Sequence, residues 1–156
     1  MMLQGRVFRD GPGWAAFCDA LGAFTQGRTR KEAFSMLAEL VDLKVGQKGF
    51  HAQVDDLGRE DVLITGSNPA QLFGGFLRYQ RERQDLSIAE AAERIGASSK
   101  SIYARMERGE HSPRLDTMQA AIAAIAPGLA LTVGSRLGAR SAKSPAKRRK
   151  SRRTAA

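Results

Sequence analysis

The chain has 156 residues, 25 of them Lys or Arg against 16 Asp or Glu, giving a formal net charge of +9, and 42% of it is apolar. That apolar fraction suffices for a packed core and excludes a disordered polyelectrolyte, while no apolar run nears the roughly 20 residues of a membrane-spanning helix. The positive excess points to an acidic partner such as nucleic acid or an anionic surface, but it is unevenly spread: residues 1–67 hold 8 basic and 9 acidic groups, residues 68–137 hold 9 and 7, and residues 138–156 hold 8 and none.

Residues 3–9 alternate loosely with period 2 and run into the turn signal Asp10-Gly11-Pro12-Gly13. Residues 14–21 follow as an apolar strand, so the two segments predict a hairpin. Thr29-Arg30-Lys31-Glu32 has the form of a capping box, and behind it Ala33, Phe34, Leu37, Leu40, Val41 and Lys44 recur at helical spacing over about four turns. Phe50, Ala52 and Val54 alternate with His51, Gln53 and Asp55, which predicts a one-sided strand. After a solvated loop at 55–61, residues 62–65 can pair back. Residues 1–67 therefore read as a small α+β domain, a few-stranded antiparallel sheet with one helix against it.

Ser67-Asn68-Pro69 marks a boundary, since Asn68 suits a helix N-cap and Pro69 the first helical position. Four helices are predicted beyond it. Leu72, Phe73, Phe76 and Leu77 form the stripe of the first. Ser87 caps a short second one carrying Ile88, Ala91, Ala92 and Ile95, with Gly96 as its left-handed end. Ser98 caps a third with Ile102, Tyr103 and Met106, ended by Gly109. Pro113 precedes a fourth with Leu115, Met118, Ile122 and Ile125, ended by Pro127-Gly128, and residues 129–134 are expected to be extended. These residues make an all-α domain at 68–137. From Gly138 onward the chain holds only Gly, Ala, Arg, Ser, Lys, Pro and Thr, which predicts a disordered basic tail at 138–156.

Residues 86–113 are the informative stretch: short helix, glycine turn, short helix, then Glu107-Arg108-Gly109-Glu110 and Ser112-Pro113. A helix-turn-helix needs a tight turn, for which Gly96 serves, and apolar inner faces, here Ile88, Ala92, Ile95, Tyr103 and Met106. The outer face of the second helix needs short polar and basic groups. Ser99, Lys100, Ser101 and Arg105 supply them, with Ser87, Ser98 and Arg108 alongside, and these seven are the expected DNA-binding residues. Such a helix enters the major groove by its N-terminal end, where free backbone N–H groups approach phosphates and base edges.

From Arg81-x-Arg83 to Ser112-Pro113 the wording resembles the Xre/Cro-type helix-turn-helix family, with one residue more than the commonest spacing between Gly96 and Gly109. Ile88 stands where many members place a Gln that contacts a phosphate. The phrase running from Gly96 through Ser98, Ser99, Lys100, Tyr103 and Arg105 to Glu107 looks like a variant fused to HicB-type antitoxin domains. Within residues 17–33, Asp19-Ala20-Leu21-Gly22 and Thr25-Gln26-Gly27-Arg28-Thr29-Arg30-Lys31-Glu32-Ala33 are similar to the HicB pattern of an Asp-x-x-Gly turn followed by Thr-Gln-Gly-x-Thr-x-x-Glu-Ala. The resemblance covers about residues 2–133. It implies a truncated RNase H-like first domain without catalytic residues, which binds a HicA-like RNA-cleaving toxin. It also implies a second domain that binds the double-stranded operator DNA of its own operon.

A nuclease centre would need several carboxylates converging on metal ions, whereas Asp10, Asp19, Asp55, Asp56, Glu60 and Asp61 are spread over turns and loops. The single Cys18 cannot form an internal disulfide and reads as a small core residue. His51 and His111 lie too far apart for a metal site and read as exposed. Gln4, Arg6, Arg9 and Asp10 interrupt any secretory signal, so a cytoplasmic, non-enzymatic protein without cofactor or metal is expected. Each folded half is small enough for burial to be marginal, which favours a homodimer or higher homo-oligomer. The reading from another class is a stand-alone helix-turn-helix regulator whose first domain senses a ligand or mediates assembly, with no toxin.

Overall fold

The computed structural model describes residues 1–130. The tail at 138–156 and the part of the predicted extended piece beyond residue 130 lie outside the described residues. Chain order is β1 (Leu3–Asp10), β2 (Gly13–Cys18), a 3₁₀ turn (Asp19–Leu21), β3 (Ala23–Gly27), α1 (Arg30–Val45), β4 (Ala52–Gly58) and β5 (Asp61–Gly66). Then come α2 (Pro69–Glu82), α3 (Ile88–Arg94), α4 (Lys100–Glu107) and α5 (Leu115–Ile125). The strands form one antiparallel sheet in the order β3-β2-β1-β5-β4.

The α+β half follows the expected fold class, with local differences. The second strand stops at Cys18 rather than Leu21. There the 3₁₀ turn ends in Gly22 at φ +56°, and the chain doubles back as β3, a strand absent from the expected set. β3 is short and contains Thr, Gln and Gly, so only its pairing with β2 makes it a strand. Residues 55–58, expected as loop, continue β4 along β5 with a bulge between Asp56 and Gly58. An edge strand facing water on one side tolerates such polar residues.

α1 starts where the capping signal stands. The Thr29 hydroxyl accepts from the Glu32 amide at 3.1 Å, and the Glu32 carboxylate accepts from the Arg28 amide at 2.9 Å, one residue before the cap. Ala33, Leu37, Val41 and Val45 then fall on one face, fully buried against Val7, Ala16, Val62 and Ile64 of the sheet. Cys18 is buried in the same core, and burial pushes its thiol up to about 11.

α2 joins the two halves. Asn68 caps it, accepting from the amides of Ala70 and Gln71 at 3.0 and 3.3 Å. Its Leu72, Phe73, Phe76 and Leu77 belong to a core cluster that runs without a break from Leu3 in β1 to Ile122 in α5. Two adjacent glycines serve opposite neighbours. A Cβ on Gly74 would lie 2.4 Å from the Glu107 carbonyl oxygen of α4, and one on Gly75 would lie 2.9 Å from a Val45 methyl of α1. Arg78 of α2 donates to the carbonyls of Lys44 and Val45 at 2.5 and 3.0 Å, satisfying the end of α1. A smaller cluster of Leu86, Ala91, Ala92, Tyr103 and Ile125 lies under α3 and α4. Among the described residues no helix is long and apolar enough to cross a membrane.

Candidate nucleic-acid interface

α3 and α4 end in the same way. Gly96, at φ +68°, follows α3, with Gly96 N–H donating to Glu93 at 3.0 Å and Ala97 N–H to Ala92 at 2.9 Å. Gly109, at φ +63°, follows α4, with its N–H on Met106 at 3.0 Å and that of Glu110 on Arg105 at 3.2 Å. Both are the paired-bond left-handed terminations in which glycine avoids a Cβ clash. The first produces the tight turn that sets α4 across α3.

A buried ion pair holds α4 against α2. Arg81 donates its Nε to Glu107 at 2.6 Å and a terminal nitrogen to the other carboxylate oxygen at 3.1 Å, while its remaining arm reaches the Leu86 carbonyl at 2.9 Å. Their side chains are 12% and 7% exposed. The Glu107 bond holds the Arg81 guanidinium above its ordinary pKa. Beside it, burial first and the Glu107 charge second push the Tyr103 phenol up, so it stays neutral. Its buried hydroxyl has no well-formed hydrogen bond. The two residues of the ion pair stand 26 positions apart, and no local spacing signals the pairing.

With Tyr103, Met106 and Glu107 inward, the outer surface of α4 is determined. Ser101, Arg105 and Arg108 fall at i, i+4 and i+7 and are all exposed, with Lys100 exposed at the first helical position. The structure thus brings Lys100, Ser101, Arg105 and Arg108 onto one helix and its end. Ser98 is exposed in the turn before it. Ser99, not Ser98, is the N-cap of α4, and its side chain makes no capping bond, so the first amides of α4 are not closed off by it. The cap moves because the chain has to leave the α3 termination before it can turn helical.

Ser87 is differently placed. It caps α3 in a reciprocal box, its hydroxyl accepting from the Glu90 amide at 3.2 Å and its own amide donating to the Glu90 carboxylate at 2.8 Å. The Ser87 bonds hold Glu90 below its ordinary pKa. Ile88, expected on the inner face, is 37% exposed, and Ile102 of α4 is 39% exposed. Residues 88–90 are all exposed, and the buried face of this short helix begins only at Ala91 and Ala92.

Arg105 and Arg108 both donate through Nε to Glu110, at 2.9 Å to one carboxylate oxygen and 2.5 Å to the other. Arg108 first and Arg105 second hold Glu110 below its ordinary pKa. Glu110 follows these arginines by five and two residues, and the left-handed turn at Gly109 folds its carboxylate back onto both.

Four of the six carboxylates weighed for a nuclease engage elsewhere. Asp10 accepts from Gln26 at 3.0 Å, Asp56 from Arg30 at 2.8 Å and Asp55 from Gln53 at 2.7 Å, while Glu60 pairs with Arg6. Among the described residues no group of three or more His, Cys, Asp or Glu is placed to hold a metal ion. His51 and His111 are both exposed.

Residues 77–125 match the helix-turn-helix family in its Xre/Cro-like form. The matched span opens near the end of α2 and closes at the end of α5, leaving the sheet outside it. It indicates a DNA-binding transcriptional regulator. No curated protein matches the chain.

Proposed function

We propose that this chain is a non-enzymatic antitoxin and autorepressor of the cytoplasm. Its helical half binds the operator of its own operon, and its sheet half binds a HicA-like RNA-cleaving toxin. The observation that carries the DNA half is the outward row of Lys100, Ser101, Arg105 and Arg108 on a helix whose first amides its Ser99 cap leaves open, inside the span that matches the helix-turn-helix family. Phosphates anchor to those amides and to Lys100, and the row along α4 reads base edges in the major groove. A homodimer presents two such helices about 34 Å apart to a two-fold operator.

The toxin-binding half is supported by the HicB-like string ending in Thr29-Arg30-Lys31-Glu32-Ala33 and by a sheet half of nearly balanced charge, which suits a protein partner better than DNA. The sheet face turned away from α1 carries Phe8, Phe17 and Phe24, the last 59% exposed.

Two measurements test the two halves separately. In mobility shifts on the DNA upstream of its gene, Lys100→Ala weakens binding about tenfold and lowers the salt slope by about one, with the fold intact. Unchanged binding removes α4 from the contact. For the toxin, the full chain is co-expressed with the product of any short reading frame adjoining its gene. Co-elution with suppressed RNA cleavage supports the antitoxin. Absence of such a frame leaves a regulator whose sheet half senses a ligand or mediates assembly.

A further inference from the structure

We propose that Glu110 is a positioning residue for DNA readout, tethering Arg105 and Arg108 so that their terminal guanidinium faces point to the nucleic acid; this rests on the DNA-binding reading above. An acidic side chain beside the reading helix is otherwise unfavourable next to phosphates, and its placement is over-determined. Gly109 is buried, and a Cβ there would lie 2.5 Å from the Cα of Gln71, so the chain after α4 is pinned to the start of α2. The Glu110 amide is bound to the Arg105 carbonyl at 3.2 Å, which fixes where its carboxylate begins. Each carboxylate oxygen then takes the Nε–H of a different arginine.

The choice of Nε matters. Arginine reads guanine O6 and N7, or a phosphate, through two parallel N–H bonds. A tether through Nε leaves the end-on pair of terminal nitrogens available, and among the described residues those of Arg105 and Arg108 have no other partner. It also removes rotamer freedom that binding would otherwise have to remove. All three side chains are 40–55% exposed, where ion pairs contribute little to folding, so a purely structural role accounts poorly for the arrangement.

The test uses the full-length protein, a duplex enriched by it from a randomised pool, and an unrelated duplex of equal length. Glu110→Ala is expected to lose about tenfold in affinity for the enriched duplex and to gain about two- to threefold for the unrelated one, because ordering is lost while a negative charge leaves the phosphate side. Glu110→Gln, which keeps one acceptor oxygen, recovers part of the specific affinity, and thermal midpoints stay within about 2 °C. Equal shifts on both duplexes in the same direction overturn the proposal, leaving a charge effect or a folding defect. A wild-type protein that enriches no sequence overturns the DNA-binding reading itself, and the role of Glu110 with it.

Discussion

The sheet half and the helical half bury different kinds of group. Buried positions of the sheet and α1 are apolar, from Leu3 and Val7 to Val62 and Ile64, whereas the buried polar residues Gln80 and Glu107 both lie in the helices. The difference follows from where the backbone hydrogen bonds go. Strands satisfy theirs through their neighbours, so the ladder itself sets how β1 to β5 sit, and a one-residue slip would turn every core side chain outward. Helices satisfy theirs internally, so nothing in the backbone fixes α4 against α2. Directional side-chain bonds and close glycine contacts do that instead, here Arg81 to Glu107 and Gly74 beneath the Glu107 carbonyl.

The largest test of this contrast is Glu107→Ala. It leaves the nearly buried Arg81 with only the longer contact to Glu82, at 3.4 Å, as a countercharge and is expected to destabilise by about 3 kcal/mol in urea unfolding. Hydrogen exchange locates the damage. If only α3 to α5 lose protection, the halves are separable; if β1 to β5 lose it equally, the continuous core through α2 makes them one cooperative unit.

Next come the two glycines of α2, which approach α4 and α1 with different closeness. Gly74→Ala meets a carbonyl that cannot step aside and is expected to cost about 1–3 kcal/mol. Gly75→Ala meets a Val45 methyl at 2.9 Å and the Val45 Cα at 3.1 Å, a milder overlap that the gain of about 1 kcal/mol in helix propensity offsets in part, so it is expected to cost less than Gly74→Ala. Equal losses would mean that α1 is gripped as rigidly as α4.

The smallest effect compares the two caps inside the helix-turn-helix. Ser87→Ala removes a hydroxyl that closes α3 and is expected to cost about 1 kcal/mol by thermal unfolding. Ser99→Ala removes no capping bond, so stability is unchanged and any loss appears only in DNA affinity. A stability loss at Ser99 matching that at Ser87 would show α4 capped in solution.

Much of the helix-turn-helix is legible in its residue order. Thr29, Asn68 and Ser87 start helices as their side chains predict, and Gly96 and Gly109 end them with positive φ. Tyr103 and Met106 face inward as their spacing in α4 requires. The outward residues Lys100, Ser101, Arg105 and Arg108 follow from the same period. The hydrophobic pattern misses β3 and shortens β4, because an edge strand needs apolar residues on one face at most and theirs are sparse. It also turns Ile88 inward, since helical period says which residues align but not how far along the helix a packing partner extends.

Residue order thus governs whatever is settled within a few positions: caps, glycine ends and the inner and outer faces of each helix. Which segments meet is decided only in the folded molecule. Folding joins Arg81 to Glu107 and sets Gly74 and Gly75 against opposite neighbours. A hydrogen bond or close contact depends on distance in space, and residues far apart along the chain acquire that distance only once the core has closed.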